Sequence, residues 1–156
     1  MSKRLVRGEL IDLSPEYVAA NSPTFEDLRA AKIAAVNAKL NEVLTGGFTV
    51  PESINVTLAG EVLQTRNLED RTNWLISQAS YSAAVAAGQG AVEGAEFRTA
   101  DNSTFTLSYA DGLTVLLGMA AWGAACMSNS WALKDAANAA EDEAALDAVG
   151  VEAGWP

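Results

Sequence analysis

The stretch GLTVLLGMAAWGAACMSNSWAL (112–133) lies between Asp111 and Lys134 and carries no charge. As an α-helix it would be about 33 Å long at 1.5 Å per residue. A helix that is apolar around most of its circumference must be covered on most sides, so the fold is decided by what covers this one. Three arrangements suit it. It can cross a bilayer, whose apolar core is about 30 Å thick. Against that stand its many Ala and Gly residues, the polar run Ser128-Asn129-Ser130 and the lack of Lys or Arg clusters at its ends. It can instead be the central helix of one domain. It can also be covered in part by another chain, and Gly118, Ala121 and Ala125 would let a neighbouring backbone approach closely. No membrane partner is expected; a homo-oligomer is left open.

Working outward, Ser108 or Asp111 can cap this helix, which is expected from about Ala110 to Ala139 with a short continuation over 141–148. Gly150 and Gly154-Trp155-Pro156 end the chain. Upstream, Phe97, Phe105, Leu107 and Tyr109 read as strand positions around an Asp101-Asn102 turn, a small hairpin. The segment AAGQGAVEGA (86–95) is the most linker-like of the chain. Before it, Asn67 can cap a helix bearing Leu68, Trp74, Leu75, Ala79, Tyr81 and Val85. Residues 48–66 are rich in β-formers, and Gly60 between Val56–Leu58 and Val62–Leu63 suggests a second hairpin. Thr24, with Asp27 as an imperfect capping-box partner, starts a helix from Phe25 to about Leu44, ended by Gly46-Gly47. Its apolar positions Phe25, Leu28, Ile33, Val36, Leu40 and Val43 recur at helical spacing, while Arg29, Lys32, Lys39, Asn41 and Glu42 mostly take other faces. Residues 4–13 form two short strands around Gly8 or one bent strand, and Ser14-Pro15-Glu16 opens a helical turn broken at Asn21-Ser22-Pro23. The fold class is therefore α+β and mainly α-helical: three long helices, two small β-hairpins and an N-terminal β arm. The domain plan is an arm over 1–22 and a helical domain over 23–156.

The bulk properties exclude more than they assign. The chain has 156 residues, of which 49% are hydrophobic and 19% charged, enough for a core without disulfides or metals. Its net charge of −10 argues against a nucleic-acid partner, because neutralising phosphates needs clustered Lys and Arg. The acidity is uneven: residues 101–156 hold eight acidic groups against one base. Histidine is absent, which removes Ser-His and Cys-His dyads and the commonest zinc ligand. A single cysteine, Cys126, cannot pair within the chain and fits a reducing compartment. No apolar run follows the basic N-terminus, so no signal peptide is read.

No catalytic, cofactor-binding or metal-binding residue emerges. Glu26-Asp27 and Glu69-Asp70 sit in first helical turns, where the helix dipole favours acids. Glu141-Asp142-Glu143 with Asp147 reads as a solvated acidic face lacking the alternating oxygen ligands of a Ca²⁺ loop. Cys126 reads as a small buried hydrophobe, since no base or cation is near it in sequence. Neither a phosphate-cradling loop nor a Gly-x-Ser-x-Gly elbow is present. The expectation is a protein that is no enzyme. Trp122 and Trp131 point to different sides of one helix, so one of them can face outward as a partner anchor. Trp155 and Pro156 either tuck back onto their own domain or dock elsewhere. These four are the candidate partner-binding residues.

Residues 97–156 resemble the C-terminal domain of unknown function common in tailed-bacteriophage tail-gene clusters. The matching positions are Phe97-Arg98, Ala100-Asp101-Asn102, Thr104 to Leu107, the late Lys134 of a long Ala-rich helix, and Leu146-Asp147-Ala148-Val149. The helix over 29–44, Gly46-Gly47-Phe48 and a second Ala-rich helix containing Trp74 extend the likeness to 25–156. The stretch Gly8 to Glu16 is similar to the opening of such proteins, and Trp155-Pro156 to the Trp-Pro near the end of tail-fibre assembly proteins. Many relatives carry His near the last helix; this chain has none. The resemblance implies a non-catalytic viral protein of the tail or tail fibre acting through protein–protein contacts, first as a tail-fibre assembly chaperone or adaptor. The alternative is a permanent virion structural subunit in multiple copies. It also implies phage tail or tail-fibre proteins as partners, and the host cytoplasm during assembly, or the virion tail, as location. A small enzyme acting on cell-surface polymers is the third reading.

Overall fold

The computed structural model describes residues 22–156, together with the backbone of 3–6 and 9–12. The elements are β1 (Lys3–Val6), β2 (Glu9–Asp12), α1 (Phe25–Gly46), β3 (Phe48–Thr49), β4 (Val62–Leu63), α2 (Leu68–Ala86), β5 (Glu93–Arg98), β6 (Thr104–Ser108), α3 (Tyr109–Ala139) and α4 (Glu143–Asp147). This is an α+β, mainly helical fold with three long helices. The described strands form three antiparallel pairs, β1–β2, β3–β4 and β5–β6. Lys3 opposes Asp12 and Val6 opposes Glu9, so the arm is two strands rather than one bent strand. The helical turn expected at Ser14-Pro15-Glu16 lies outside the described residues.

Each long helix begins on the side chain expected to cap it. Thr24 donates its backbone N–H to Asp27 Oδ2 at 2.8 Å, and Asp27 N–H donates to Thr24 Oγ1 at 3.2 Å. The box closes in both directions even with the short aspartate. The Thr24 hydroxyl, donating to Asp27 Oδ2 at 2.7 Å, and then the Thr24 N–H hold the Asp27 carboxyl below its ordinary range. Asn67 and Ser108 accept from the backbones of Asp70 and Asp111 in the same way. Gly47, at φ +98°, ends α1; a Cβ there would also lie 2.6 Å from Val62 Cγ1. Only glycine turns the helix so directly into β3.

α2 runs antiparallel along the N-terminal half of α3, and α1 along the rest. A first core gathers Phe48, Val50, Leu58, Leu63, Tyr81, Phe97, Leu107, Val115 and Met119 between α2, α3 and the two small hairpins. Phe97 is its centre, stacked on Trp74 at 5.7 Å and tilted to Tyr81 at 6.2 Å. Burying a side chain of that size contributes about 1.5–3 kcal/mol. A second core of Ala137, Ala140, Leu146 and Val149 joins α3, α4 and the start of α1 through Phe25, Leu28 and Ile33.

Four expectations need correction. The first strand of the 48–66 hairpin is Phe48–Thr49, not Val56–Leu58. Residues 51–58 are folded into turns: Ile54 and Asn55 donate their N–H groups to the Pro51 carbonyl, and Asn55 Oδ1 accepts from Thr57 and Leu58. This local bonding outcompetes a strand and leaves Val56 exposed. Segment 86–95 is no linker, because Glu93 to Ala95 belong to β5 and Tyr109 N–H donates to the Val92 carbonyl at 3.0 Å. Tyr109 is the first residue of α3 rather than a strand residue. Finally, Arg29, Lys32 and Lys39 lie on the packed side of α1. Arg29 donates to the Ala140 carbonyl at 3.0 Å, Lys32 to the Val149 carbonyl at 3.3 Å, and Lys39 reaches Glu152 at 2.7 Å. Their long stems cover apolar surface while their charged heads tie down the C-terminal segment.

Candidate functional site

α3 is covered along one side only. Its buried residues are Gly112, Val115, Leu116, Met119, Cys126, Ser130 and Ala137, the positions that meet α1, α2 and β5. The opposite side carries Leu117, Ala121, Ala124, Ser128 and Trp131, spaced three, four or seven residues apart and all exposed. Leu117 is 51% exposed and Trp131 57%. The helix is long and apolar enough to cross a membrane by length and composition, with a mean hydropathy of 1.4 over its most apolar window. Isolated surface apolar residues need no explanation; what sets this side apart is that Leu117 and Trp131 bound an exposed stripe with no charge.

A groove borders that stripe. It encloses about 210 Å³ between α2 and α3, with Trp74, Leu75, Met119, Ala120 and Gly123 among its walls and Arg71 at its rim. Arg71 Nε donates to the Thr65 carbonyl at 3.0 Å, which fixes its guanidinium at the edge. The indole N–H of Trp74 is spent on the Gln64 carbonyl at 2.7 Å. The groove therefore offers an apolar interior, suited to an aliphatic or aromatic side chain.

The four candidate tryptophan and proline positions fall in different settings. Trp122 is half-buried on the first core, tilted against Phe48 with ring centroids 5.6 Å apart. Trp131 is the outward-facing member of the pair. Trp155 is half-buried and donates its indole N–H to the Val151 carbonyl at 2.8 Å, four residues back on its own chain. Pro156 lies in a second groove with Phe48, Ile54, Gly118 and Trp122. The tail is further held by the Asn129 side-chain amide, which donates to the Ala153 carbonyl at 3.0 Å. In the chain alone Trp155 bonds within the last turn, and Pro156 is exposed at the edge of the groove that Trp122 also lines. Gly118, expected to admit another chain, admits Ile54: a Cβ there would lie 2.4 Å from Ile54 Cδ1.

Sequence reading missed Leu75, Ala120 and Gly123 as groove walls, because their meeting depends on how α2 lies on α3. Several polar groups near these clefts are engaged structurally, whereas the buried Ser130 hydroxyl of α3 has no hydrogen-bond partner. Asp70 is held below its ordinary range by the Arg66 guanidinium, Asp101 by the hydroxyl of Thr99, and burial pushes the Cys126 thiol and the Tyr81 phenol up. A polar cleft of about 230 Å³ contains Asp70 and Arg98, but Asp70 pairs with Arg66 and Arg98 Nε donates to Asn102 at 3.3 Å. Among the described residues no group of three or more His, Cys, Asp or Glu side chains comes together to hold a metal ion.

No curated protein and no solved structure matches the chain. Residues 27–150, from the first turn of α1 to just beyond α4, match the domain of unknown function DUF4376, and the chain belongs to that family.

Proposed function

We propose that this is a non-catalytic protein of a tailed-bacteriophage tail that acts through protein–protein contact, as a tail-fibre assembly chaperone or adaptor working in the host cytoplasm. The observation that carries the contact part of this reading is the outer side of α3, uncharged from Gly112 to Leu133 and open at Leu117 and Trp131. The likeness of residues 97–156 to tail-cluster proteins supports the phage part. Such a surface is useful to a helper protein, because an incompletely folded fibre exposes apolar segments that need a temporary cover. Trp131, the exposed tryptophan of α3, is the anchor this reading assigns to the partner.

Co-expression with the fibre gene of the same phage tests it. Soluble fibre yield is expected to rise several-fold, and an unchanged yield would count against the chaperone reading. A permanent structural subunit is the second reading, favoured by the same stripe if it is covered for good. Mass spectrometry of purified virions separates the two: a subunit is present at fixed stoichiometry, and a transient helper is depleted.

A further inference from the structure

We infer that the groove between α2 and α3 is a binding site for a small aromatic monocarboxylate, its ring against Trp74 and Met119 and its carboxylate on Arg71. Size sets the body of the ligand. An apolar cavity of about 150 Å³ takes a benzene ring, so the 210 Å³ here takes a ring up to the size of an indole. A polypeptide segment in a groove lays down several side chains in succession, and this one has room for a single ring. Wall chemistry sets its type. Trp74, Trp122 and Met119 line the groove, and such walls favour an aromatic guest through ring and sulfur contacts. The Trp74 ring is held by stacking on Phe97 at 5.7 Å and by its bond to the Gln64 carbonyl at 2.7 Å. That wall is formed before a ligand arrives, which lowers the cost of binding.

Charge sets the head group. Arg71 Nε is fixed on the Thr65 carbonyl at 3.0 Å, and among the described residues no ion pair uses its guanidinium. Asp70, its neighbour in sequence, pairs with Arg66 instead at 3.1 Å. A guanidinium held at an apolar mouth with its terminal nitrogens unspent suits a carboxylate. The other donors beside the groove are used: the Trp74 indole N–H as above, and the Thr65 hydroxyl on the Leu44 carbonyl. A carboxylate seated anywhere but at Arg71 would therefore be left unpaired, at a high desolvation cost. Gln78 is the remaining polar wall. It lies two turns along α2 from Arg71, about 10 Å, and offers an amide to an indole N–H or phenol at the far end of the ligand. The site does not depend on the phage reading, since binding is read on the isolated protein and either can fail without the other.

Titration of the isotope-labelled full chain with indole-3-propionate, followed by NMR, tests it. The Gly123 amide and the Trp74 indole N–H are expected to shift together, with a Kd on the order of 100 µM for a ligand of this size. Indole-3-propionamide, the same body without the charge, should bind about tenfold more weakly. Arg71→Gln, at an exposed site, should weaken the acid about tenfold and leave the amide unchanged. Gly123→Leu fills the groove from a position with nothing within 4 Å of its Cβ. It should abolish binding of both while circular dichroism and the thermal melt report an intact fold. No shift at Gly123 and Trp74 up to about 5 mM acid, equal affinities for acid and amide, or binding indifferent to Arg71→Gln would overturn the inference. So would shifts confined to the Leu117 and Trp131 side, which place the ligand on the open face of α3.

Discussion

Lys39 Nζ lies 2.7 Å from a carboxylate oxygen of Glu152, joining the middle of α1 to the last residues of the chain. With the Arg29 and Lys32 bonds to the Ala140 and Val149 carbonyls, it makes α1 the post to which the C-terminal segment is tied. The hydrogen bond to Glu152, then that to Glu42, raises the Lys39 pKa above its ordinary 10.5. A raised folded pKa means a contribution fully present below pH 10.5 and lost as pH climbs through the folded value. Glu152→Ala should therefore lower Tm slightly at pH 8, and the gap between variant and wild type should close in strong alkali. Paired thermal melts check this; a gap that widens with pH would contradict it.

The tail is a structural element. Removing residues 154–156 takes away the half-buried Trp155 indole and its bond to the Val151 carbonyl. The expected loss is about 1–3 kcal/mol, from apolar burial and one hydrogen bond, measured as the urea midpoint at unchanged m-value. Capture of a tail partner should survive this deletion and fall with Trp131→Ala.

Two glycines of α3 should respond with opposite sign to the same substitution. At Gly112 an added Cβ would lie 2.4 Å from the Ala95 Cβ and 3.3 Å from both Phe97 and Tyr81. Gly112→Ala is expected to destabilise by about 1–3 kcal/mol through overpacking. At Gly123 nothing lies within 4 Å, so Gly123→Ala should stabilise by about 0.5–1 kcal/mol through helix propensity alone. Denaturant melts of the two variants read the difference directly.

Much of this architecture was legible because it is written locally. Thr24, Asn67 and Ser108 announce helix starts, Gly47 a stop, and Asp101-Asn102 a hairpin, each through bonds within a few residues. What was illegible depends on contacts across the chain. The role of Arg29, Lys32 and Lys39 requires knowing that the C-terminus returns to α1. The groove requires the lie of α2 on α3. Val56–Leu58 has the composition of a strand, yet Asn55 offers its backbone closer partners. Of the candidate site, the sequence indicated that Trp122 and Trp131 diverge, but not which of them faces outward.

Acid should loosen the helix and hairpin ends together. Asp27, Asp70 and Asp101 are each held below the ordinary carboxylate range by hydrogen bonds, from Thr24, Arg66 and Thr99 first. For depressed folded values the contribution is present above the unfolded pKa and is lost as pH falls through the folded ones. Stability should be flat from pH 7 to about 5 with respect to these groups and decline below about pH 4. Replacing all three with Asn should flatten that acid limb; an unchanged limb would assign it to other carboxylates.

The claim that the outer side of α3 is a surface for other polypeptides is tested most directly by hydroxyl-radical footprinting of Leu117 and Trp131. Dilute, isolated protein is compared with protein mixed with the tail proteins of its own phage. Protection of both residues in the mixture, with Val56 and Leu68 oxidised equally in the two samples, is the predicted result. Equal oxidation of Trp131 in both samples would contradict it.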